Sequence, residues 1–312
     1  MATDISSLSF REDALIWTEL SIQDNALLVK KAAYDSLPLF LNHKSIHQEA
    51  TISKLAEFIA NFIEKNQFTA HNLKITIPGR FTVIKKVLVD ATISKENFGD
   101  LVSFEFEKSW DESPKNYSIY IPEYSRTRGP YKEILAVAIR NKVLEFFDAI
   151  FNKIDIEVKG ITPSCFTIDE FFRAQVSNIS GISLLIGFQN RGYDLILVDS
   201  LNFLKYSFRP YNNNIDQLSK IAPEEIIGNF KKVVSEIQKP SKLSEPLHDI
   251  DSIYLYGTYL NPVWSEMIQS KLQTPVQVFS FKDSSLYSLK QNSVEEVKKN
   301  VFRYIEPLSN IF

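Results

Sequence analysis

The chain has 312 residues, enough for about two domains and for real cores without disulfide staples. Its 35 Lys and Arg against 38 Asp and Glu leave a net charge of −3, which argues against nucleic-acid binding, since that rests on a strong positive field. A hydrophobic share of 44% with 23% charged residues excludes a disordered or fibrous chain.

Glycine is scarce: nine residues, against a usual share of about 7%. Loops that cradle phosphates need glycine, because only glycine lets backbone approach so closely at positive φ. This chain has little material for them. The 23 Phe and 13 Tyr predict aromatic cores. Cys165 is the single cysteine, so no internal disulfide and no multi-cysteine zinc site can form. It lies in Thr162-Pro163-Ser164-Cys165-Phe166, beside an apolar run, and reads as a small buried hydrophobe. The start of the chain has no secretory pattern, and no apolar run reaches the roughly 18 residues of a membrane helix. The expectation is a cytoplasmic protein that meets a membrane only through a partner, without direct insertion.

Ile5–Phe10, Ala14–Leu20 and Ala26–Ala33 read as three strands broken by Arg11-Glu12-Asp13 and Gln23-Asp24-Asn25. Ser45–Gln67 carries apolar residues at Ile52, Leu55, Phe58, Ile59, Phe62 and Ile63, a helical stripe. Leu73–Ile77 is a strand closed by Pro78-Gly79. An insert follows: a strand at Phe81–Val89, a helix at Ser94–Trp110 and a strand at Asn116–Tyr124. Arg126-Thr127-Arg128-Gly129-Pro130 reads as a turn, with Arg126 and Arg128 at a hairpin tip. Ile134–Ile139 is a strand, Asn141–Ile154 a helix, and Ile156–Ile161 a strand. Pro163 then opens a helix through Ala174.

After Ser177–Gly181 the order begins again. Ile182–Phe188, Tyr193–Asp199 and Phe203–Phe208 are strands, and Asn214–Gln238 is helical with a break at Ala222-Pro223. Pro240–Leu247 is a polar linker. Ile253–Tyr256 is a strand, Pro262–Leu272 a helix, Val276–Phe281 a strand and Val294–Ile305 a closing helix. Both halves thus run as three hairpin strands, helix, strand, helix, strand, helix. Two such halves facing each other make a cleft, a usual place for a ligand.

This layout resembles the actin-like ATPase superfamily, and within it the PilM family of type IV pilus assembly and the GspL cytoplasmic domain of type II secretion. The resemblance runs over roughly residues 5–310. Leu73–Gly79 is similar to the family's strand ending in Pro-Gly. Phe81–Leu88, Ile93–Asn97 and Phe104–Lys108 resemble its inserted subdomain. Ile134–Arg140 with Ile161-Thr162-Pro163 resembles the close of the first half. Ser183–Gly187 with Tyr193–Leu197 resembles the second phosphate hairpin. Ser252–Gly257, followed by Pro275–Val278, resembles the adenosine-motif strand and its follower.

The resemblance implies an α/β, actin-like ATPase (ribonuclease H-like) fold: two lobes, each a mixed sheet flanked by helices, and a small inserted α+β subdomain. The first lobe would span residues 1–174, with the insert at about 80–130 and a C-terminal helix, 294–312, packing back on it. The second would span 175–293.

The departures carry the functional expectation. Nucleotide-binding relatives begin with a hairpin of the type Asp-Ile-Gly, whose carboxylate holds hydrated Mg²⁺ and whose glycine admits phosphates. Here that place reads Leu8-Ser9-Phe10-Arg11-Glu12-Asp13, with bulky Phe10 and no glycine. In the second hairpin the pattern becomes Leu185-Ile186-Gly187, with Leu185 where the second metal-facing carboxylate would be. Asn190, Gly192 and Asp194 remain, and Asp194 suits a hairpin residue better than a ligand. The adenosine motif is reduced to Gly257-Thr258, followed by Tyr259. Glu236 and Lys239 lie on a helix similar to the one that lines the adenosine pocket. Together these are the remnants of a nucleotide cleft.

These losses imply a pseudo-ATPase: no catalytic residue, no metal and no cofactor are expected. Its implied partner is the short cytoplasmic tail of a bitopic inner-membrane protein of the PilN type, bound as an extended or amphipathic segment in an apolar groove. Self-association is a further expectation. Two alternatives stand beside this. An active ATPase or kinase of the superfamily would bind ATP and Mg²⁺ through a carboxylate supplied by Glu12, Asp13 or Asp194. A divergent cytoskeletal or divisome protein would keep only the interaction role.

Other constellations are weaker. His43 and His47 have helical i, i+4 spacing but no third ligand or H-E-x-x-H order. Lys231 and Lys232 suit the solvated face of an amphipathic helix, as do Glu105, Glu107, Asp111 and Glu112. Phe104, Phe106 and Trp110 read as core.

Overall fold

The computed structural model describes residues 3–108, 113–122, 125–176, 179–211, 223–238, 249–281 and 287–311. Trp110, Asp111, Glu112, Lys239, the stretch 214–222 and the 240–247 linker lie outside the described residues, as do 177–178 of the junction.

β1 (Thr3–Phe10), β2 (Ala14–Gln23) and β3 (Ala26–Ser36) form a meander, and α1 (Glu49–Asn66) follows. β4 is Leu73–Ile77 and β5 is Thr82–Asp90. α2 (Phe98–Glu107), β6 (Tyr117–Tyr120), β7 (Ser125–Arg128) and β8 (Tyr131–Arg140) complete the insert. α3 (Asn141–Asn152), β9 (Val158–Pro163) and α4 (Ser164–Gln175) come next. The second half supplies β10 (Ile182–Phe188), β11 (Gly192–Val198), β12 (Phe203–Pro210) and α5 (Pro223–Gln238). It continues with β13 (Ile250–Tyr256), α6 (Val263–Gln269), β14 (Val276–Val278) and β15 (Ser288–Leu289). The chain closes with α7 (Glu295–Lys299) and α8 (Ile305–Ser309).

The two larger sheets share one plan. The first runs β15-β3-β2-β1-β4-β9 and the second β12-β11-β10-β13-β14. In each, the opening strand is antiparallel to its hairpin partner and parallel to the strand after the helix. β1 and β10 therefore sit mid-sheet, with both faces covered, and their side chains are buried along most of the strand. A third, smaller sheet pairs β8 with β5, β6 and β7.

Period-two alternation assigns the faces. Leu8, Phe10, Leu15 and Trp17 pack outward against Leu55, Ile59 and Phe62 of α1 and Phe146, Phe147 and Ile150 of α3. Leu184, Ile186, Phe188 and Leu195 pack against Phe230 and Ile237 of α5 and Ile268 of α6. One further cluster joins the two large sheets: Ile16 and Leu20 from the first, Leu185 and Ile196 from the second, with Phe172 of α4 and Leu308 of α8. α8 packs on α4, β1, β2 and β4. In the small sheet, Val87, Ile134 and Ala136 cover Val102 and Phe106 of α2.

Several expectations need correction. Arg126 and Arg128 belong to β7, paired with β8, and the reversal is left to Gly129 (φ +60°) and Pro130. Among the described residues of the strand expected over Asn116–Tyr124, pairing covers Tyr117–Tyr120, and 123–124 lie outside the described residues. Pro163 ends β9, so the helix starts one residue later. α6 covers only Val263–Gln269, and β14 stops at Val278 because Phe279 and Phe281 turn onto Phe171. The closing helix is broken at Asn300 (φ −130°) and Tyr304 (φ −106°), with a 3₁₀ turn at Val301–Arg303 between. That break lets the Phe302 carbonyl accept the Gly257 amide at 2.8 Å. Phe104 is 53% exposed, while Phe106 is core as expected.

Candidate functional site

The site lies where the β1–β2 and β10–β11 hairpins approach each other and α8. The two turns are built alike. Phe10 pairs with Leu15 and Phe188 with Tyr193 at the hairpin ends. The next residue, Arg11 or Gln189, donates its backbone amide three residues on, to Ala14 at 2.8 Å or Gly192 at 2.9 Å. Arg11 and Gln189 therefore hold corresponding places.

Both side chains reach Glu306 on α8. Arg11 Nε donates to Glu306 Oε2 at 2.9 Å, and Gln189 Nε2 donates to Oε1 at 2.9 Å. Ser9 Oγ donates to Oε2 at 2.8 Å. Arg11 and Glu306 are each 2% exposed, so this is a dry ion pair. Burial alone would lower the Arg11 pKa, but the adjacent Glu306 carboxylate outweighs it and holds the guanidinium above its ordinary value. Arg11 Nη1 also donates to Thr258 Oγ1 at 2.6 Å, tying the first hairpin to the loop after β13.

The other carboxylates are engaged too. Asp194 Oδ2 accepts from Gln189 Nε2 at 2.7 Å and Oδ1 from the Tyr206 hydroxyl at 2.7 Å. Burial pushes the Asp194 carboxyl upward, partly offset by the Tyr206 hydrogen bond. Asp13 Oδ2 accepts from Asn190 Nδ2 at 2.5 Å and from the Tyr259 hydroxyl at 2.6 Å. Glu12 pairs with Arg80, whose guanidinium also stands 4.6 Å from the Phe208 ring centre. Desolvation lowers the Arg80 pKa, against the pull of Asp194.

Aromatic side chains occupy the space that glycines would otherwise leave open. A Cβ on Gly187 would stand 2.6 Å from Tyr256 Cζ, and one on Gly79 would stand 2.6 Å from Tyr206 Cζ. Gly257 needs its glycine for another reason: φ is +113° and a Cβ would meet the Phe188 carbonyl oxygen at 2.6 Å. What remains between Arg11, Glu12, Arg80, Gln189, Asp194 and Glu306 is a cavity of about 10 Å³. That is room for about one water, whereas ligand pockets run to about 300–1,000 Å³.

The residues singled out from sequence divide accordingly. Gly187, Asn190, Asp194, Gly257 and Thr258 come together here. Phe10 does not face the cleft: its ring packs outward, 4.9 Å from Phe147, and Ser9 and Arg11 are the inward residues of that hairpin. Leu185 is buried in the cluster between the sheets. Gly192 abuts the Arg209 carbonyl in the β11–β12 ladder. Glu236 sits on α5 beside Arg209, 3.6 Å away, and takes no part. Asp194 lies in the β10–β11 hairpin, within β11 and opposite Gly187. Alternation on β1 was the signal for Ser9 and Arg11. Arg80, Gln189, Tyr206, Tyr256 and Glu306 gave no signal.

Elsewhere, the His43 ring packs edge-on to Phe81 with centres 5.2 Å apart. Cys165 is buried, and burial raises its thiol pKa well above the ordinary value, which disfavours the nucleophilic thiolate. Lys231 and Lys232 are exposed on α5. Among the described residues no helix is long and apolar enough to cross a membrane.

No family model matches the sequence, and no curated protein matches it. Solved structures do match. A chain of the PilM-PilN type IV pilus biogenesis complex superposes with TM-score 0.76 at 12% identity, covering 98% of this chain and 97% of that one. The cytoplasmic domain of EpsL, an inner membrane component of the Vibrio cholerae type II secretion system, gives 0.48 at 9% identity, over 94% and 91%. A Bacteroides thetaiotaomicron protein with actin-like ATPase fold and unknown function gives 0.47 at 10%, over 88% and 90%. The chain has the actin-like ATPase fold, and over nearly its whole length it is similar to the chain from the PilM-PilN complex.

Proposed function

We propose that this chain is a non-catalytic, actin-like scaffold of a bacterial envelope machine, a type IV pilus or a type II secretion system. It works as two lobes, residues 1–174 with the C-terminal segment and residues 175–293, in the cytoplasm. It reaches the inner membrane by binding the short cytoplasmic tail of a bitopic partner of the PilN type. It needs no nucleotide, metal or other cofactor.

The observation that carries this reading is the filled cleft. The cavity between the two hairpins, about 10 Å³, leaves no room for a triphosphate, while a larger pocket of about 370 Å³ opens beside it at Thr258, Tyr259, Trp264 and Arg303. Glu12, Asp13 and Asp194, the carboxylates that an ATPase or kinase would turn toward Mg²⁺, are each taken up by donors of the chain itself. The fold likeness to a chain of the PilM-PilN complex supports the partner class. A small cleft with engaged acids favours the scaffold over a working enzyme, because transition-state charge would find no free counterpart.

The test is fluorescence anisotropy with a labelled synthetic peptide that copies the short cytoplasmic tail of a PilN-type protein from the same genome. Saturable binding that a scrambled peptide fails to reproduce is the expected result. Equal behaviour of the two peptides contradicts the partner assignment.

A further inference from the structure

Glu306 differs in origin from the other acids of the site. Glu12, Asp13 and Asp194 belong to the hairpins themselves, whereas Glu306 arrives on α8, 295 residues from Arg11. Its two oxygens receive a hydroxyl, a guanidinium and an amide, drawn from both large sheets. Hydrogen bonds to an ionised group inside a low-dielectric interior are among the strongest a protein makes. The donors are held before the carboxylate reaches them: Arg11 by Thr258 at 2.6 Å, Gln189 by Asp194 at 2.7 Å. Arg11 Nη2 and the Tyr256 hydroxyl are buried without partners, so donor capacity is left over.

The rest of the α8 contact is part apolar and part polar: Ile305, Leu308 and Ile311 join the cluster between the sheets. Ser309 Oγ donates to Thr167 Oγ1 at 2.9 Å. By register, Ser7, Thr18 and Thr76 share the inward sheet face with Ser9, and their hydroxyls are buried without partners. The apolar side chains hold the segment against the sheets, and the charged anchor fixes its position over the two hairpins.

We propose that Ser9, Arg11 and Gln189 form a carboxylate-binding site shared by the two large sheets, that Glu306 occupies it in cis, and that residues 305–311 thereby clasp the sheets together. The inference rests on the cleft being free of nucleotide. It goes further by naming the occupant and the class of ligand the site takes. With the Glu306 side chain removed, the vacated donors accept a small free carboxylate.

The experiment is a melting series on the full chain, wild type and Glu306→Ala, in sodium formate against sodium chloride at equal ionic strength. Glu306→Ala is expected to melt several degrees below wild type. Formate should restore much of that loss saturably, leave wild type unmoved, and fail to rescue Glu306→Ala combined with Arg11→Met. Where Glu306→Ala does not fold in chloride, refolding in formate reads the same site, and soluble protein in formate alone is the expected outcome. Identical behaviour of Glu306→Ala in formate and in chloride, whether read by melting or by refolding, overturns the proposal. Nucleotide binding by wild type would remove the parent reading, while formate rescue would still stand or fall by itself.

Discussion

Arg11 and Gln189 occupy corresponding places in two separate hairpins and donate to the two oxygens of one carboxylate, each at 2.9 Å. Glu306 thus stands at the point where two repeats of one topology meet. An ion pair this dry is expensive to break from one side, since the remaining charge stays buried.

Arg11→Met should therefore destabilise the protein by about 3–5 kcal/mol, the usual result of stranding one partner of a buried pair. Glu306→Leu should cost a similar amount. The double variant should cost clearly less than the sum of the two, because no charge is then stranded. Urea unfolding of the three variants measures this, and additivity within about 0.5 kcal/mol contradicts the coupling.

Gly187 and Gly257 separate two kinds of tight packing. Gly187→Ala should cost about 1–3 kcal/mol by crowding Tyr256. In a Tyr256→Ala background that cost should shrink, since the obstructing ring is gone. Gly257→Ala meets backbone at positive φ, so its cost should be the same in both backgrounds. Chemical denaturation of the set decides it, and equal relief at both glycines contradicts the assignment.

Asp194 sets a pH dependence. Burial raises its carboxyl pKa, and the Glu306 charge adds to this against the Tyr206 hydrogen bond. The folded state then holds the proton more tightly than the unfolded state. Its contribution to stability is fully present below the unfolded value of 3.8 and is lost as pH rises through the folded pKa. The stability of wild type relative to Asp194→Asn should decline with rising pH across that window. Denaturation from pH 3.5 upward tests this, and a flat difference refutes it.

Much of the fold was legible because it is written locally. Ile52, Leu55, Ile59 and Phe62 spell a helix, and the alternation of Ser7, Ser9 and Arg11 with Leu8 and Phe10 spells a two-faced strand. That same alternation put Phe10 outside the cleft, although glycine scarcity and the missing acids drew attention to it. The length of α8 and its break from α7 were not legible, because a long-range bond from Gly257 to Phe302 shapes that segment. The two-residue β15 is defined only by its pairing with β3. Glu306 was invisible for the same reason: nothing near it in sequence tells that its carboxylate meets Ser9 and Arg11.

The central claim is that side chains fill the place of a triphosphate between the two hairpins. Titration calorimetry with ATP and Mg²⁺ on the wild-type chain, followed by a phosphate-release assay on the same sample, tests it most directly. A filled cleft predicts no saturable heat and no phosphate above the buffer control. A saturable isotherm, accompanied by thermal stabilisation of about 2.7 kcal/mol at a hundredfold excess over the dissociation constant, would contradict it.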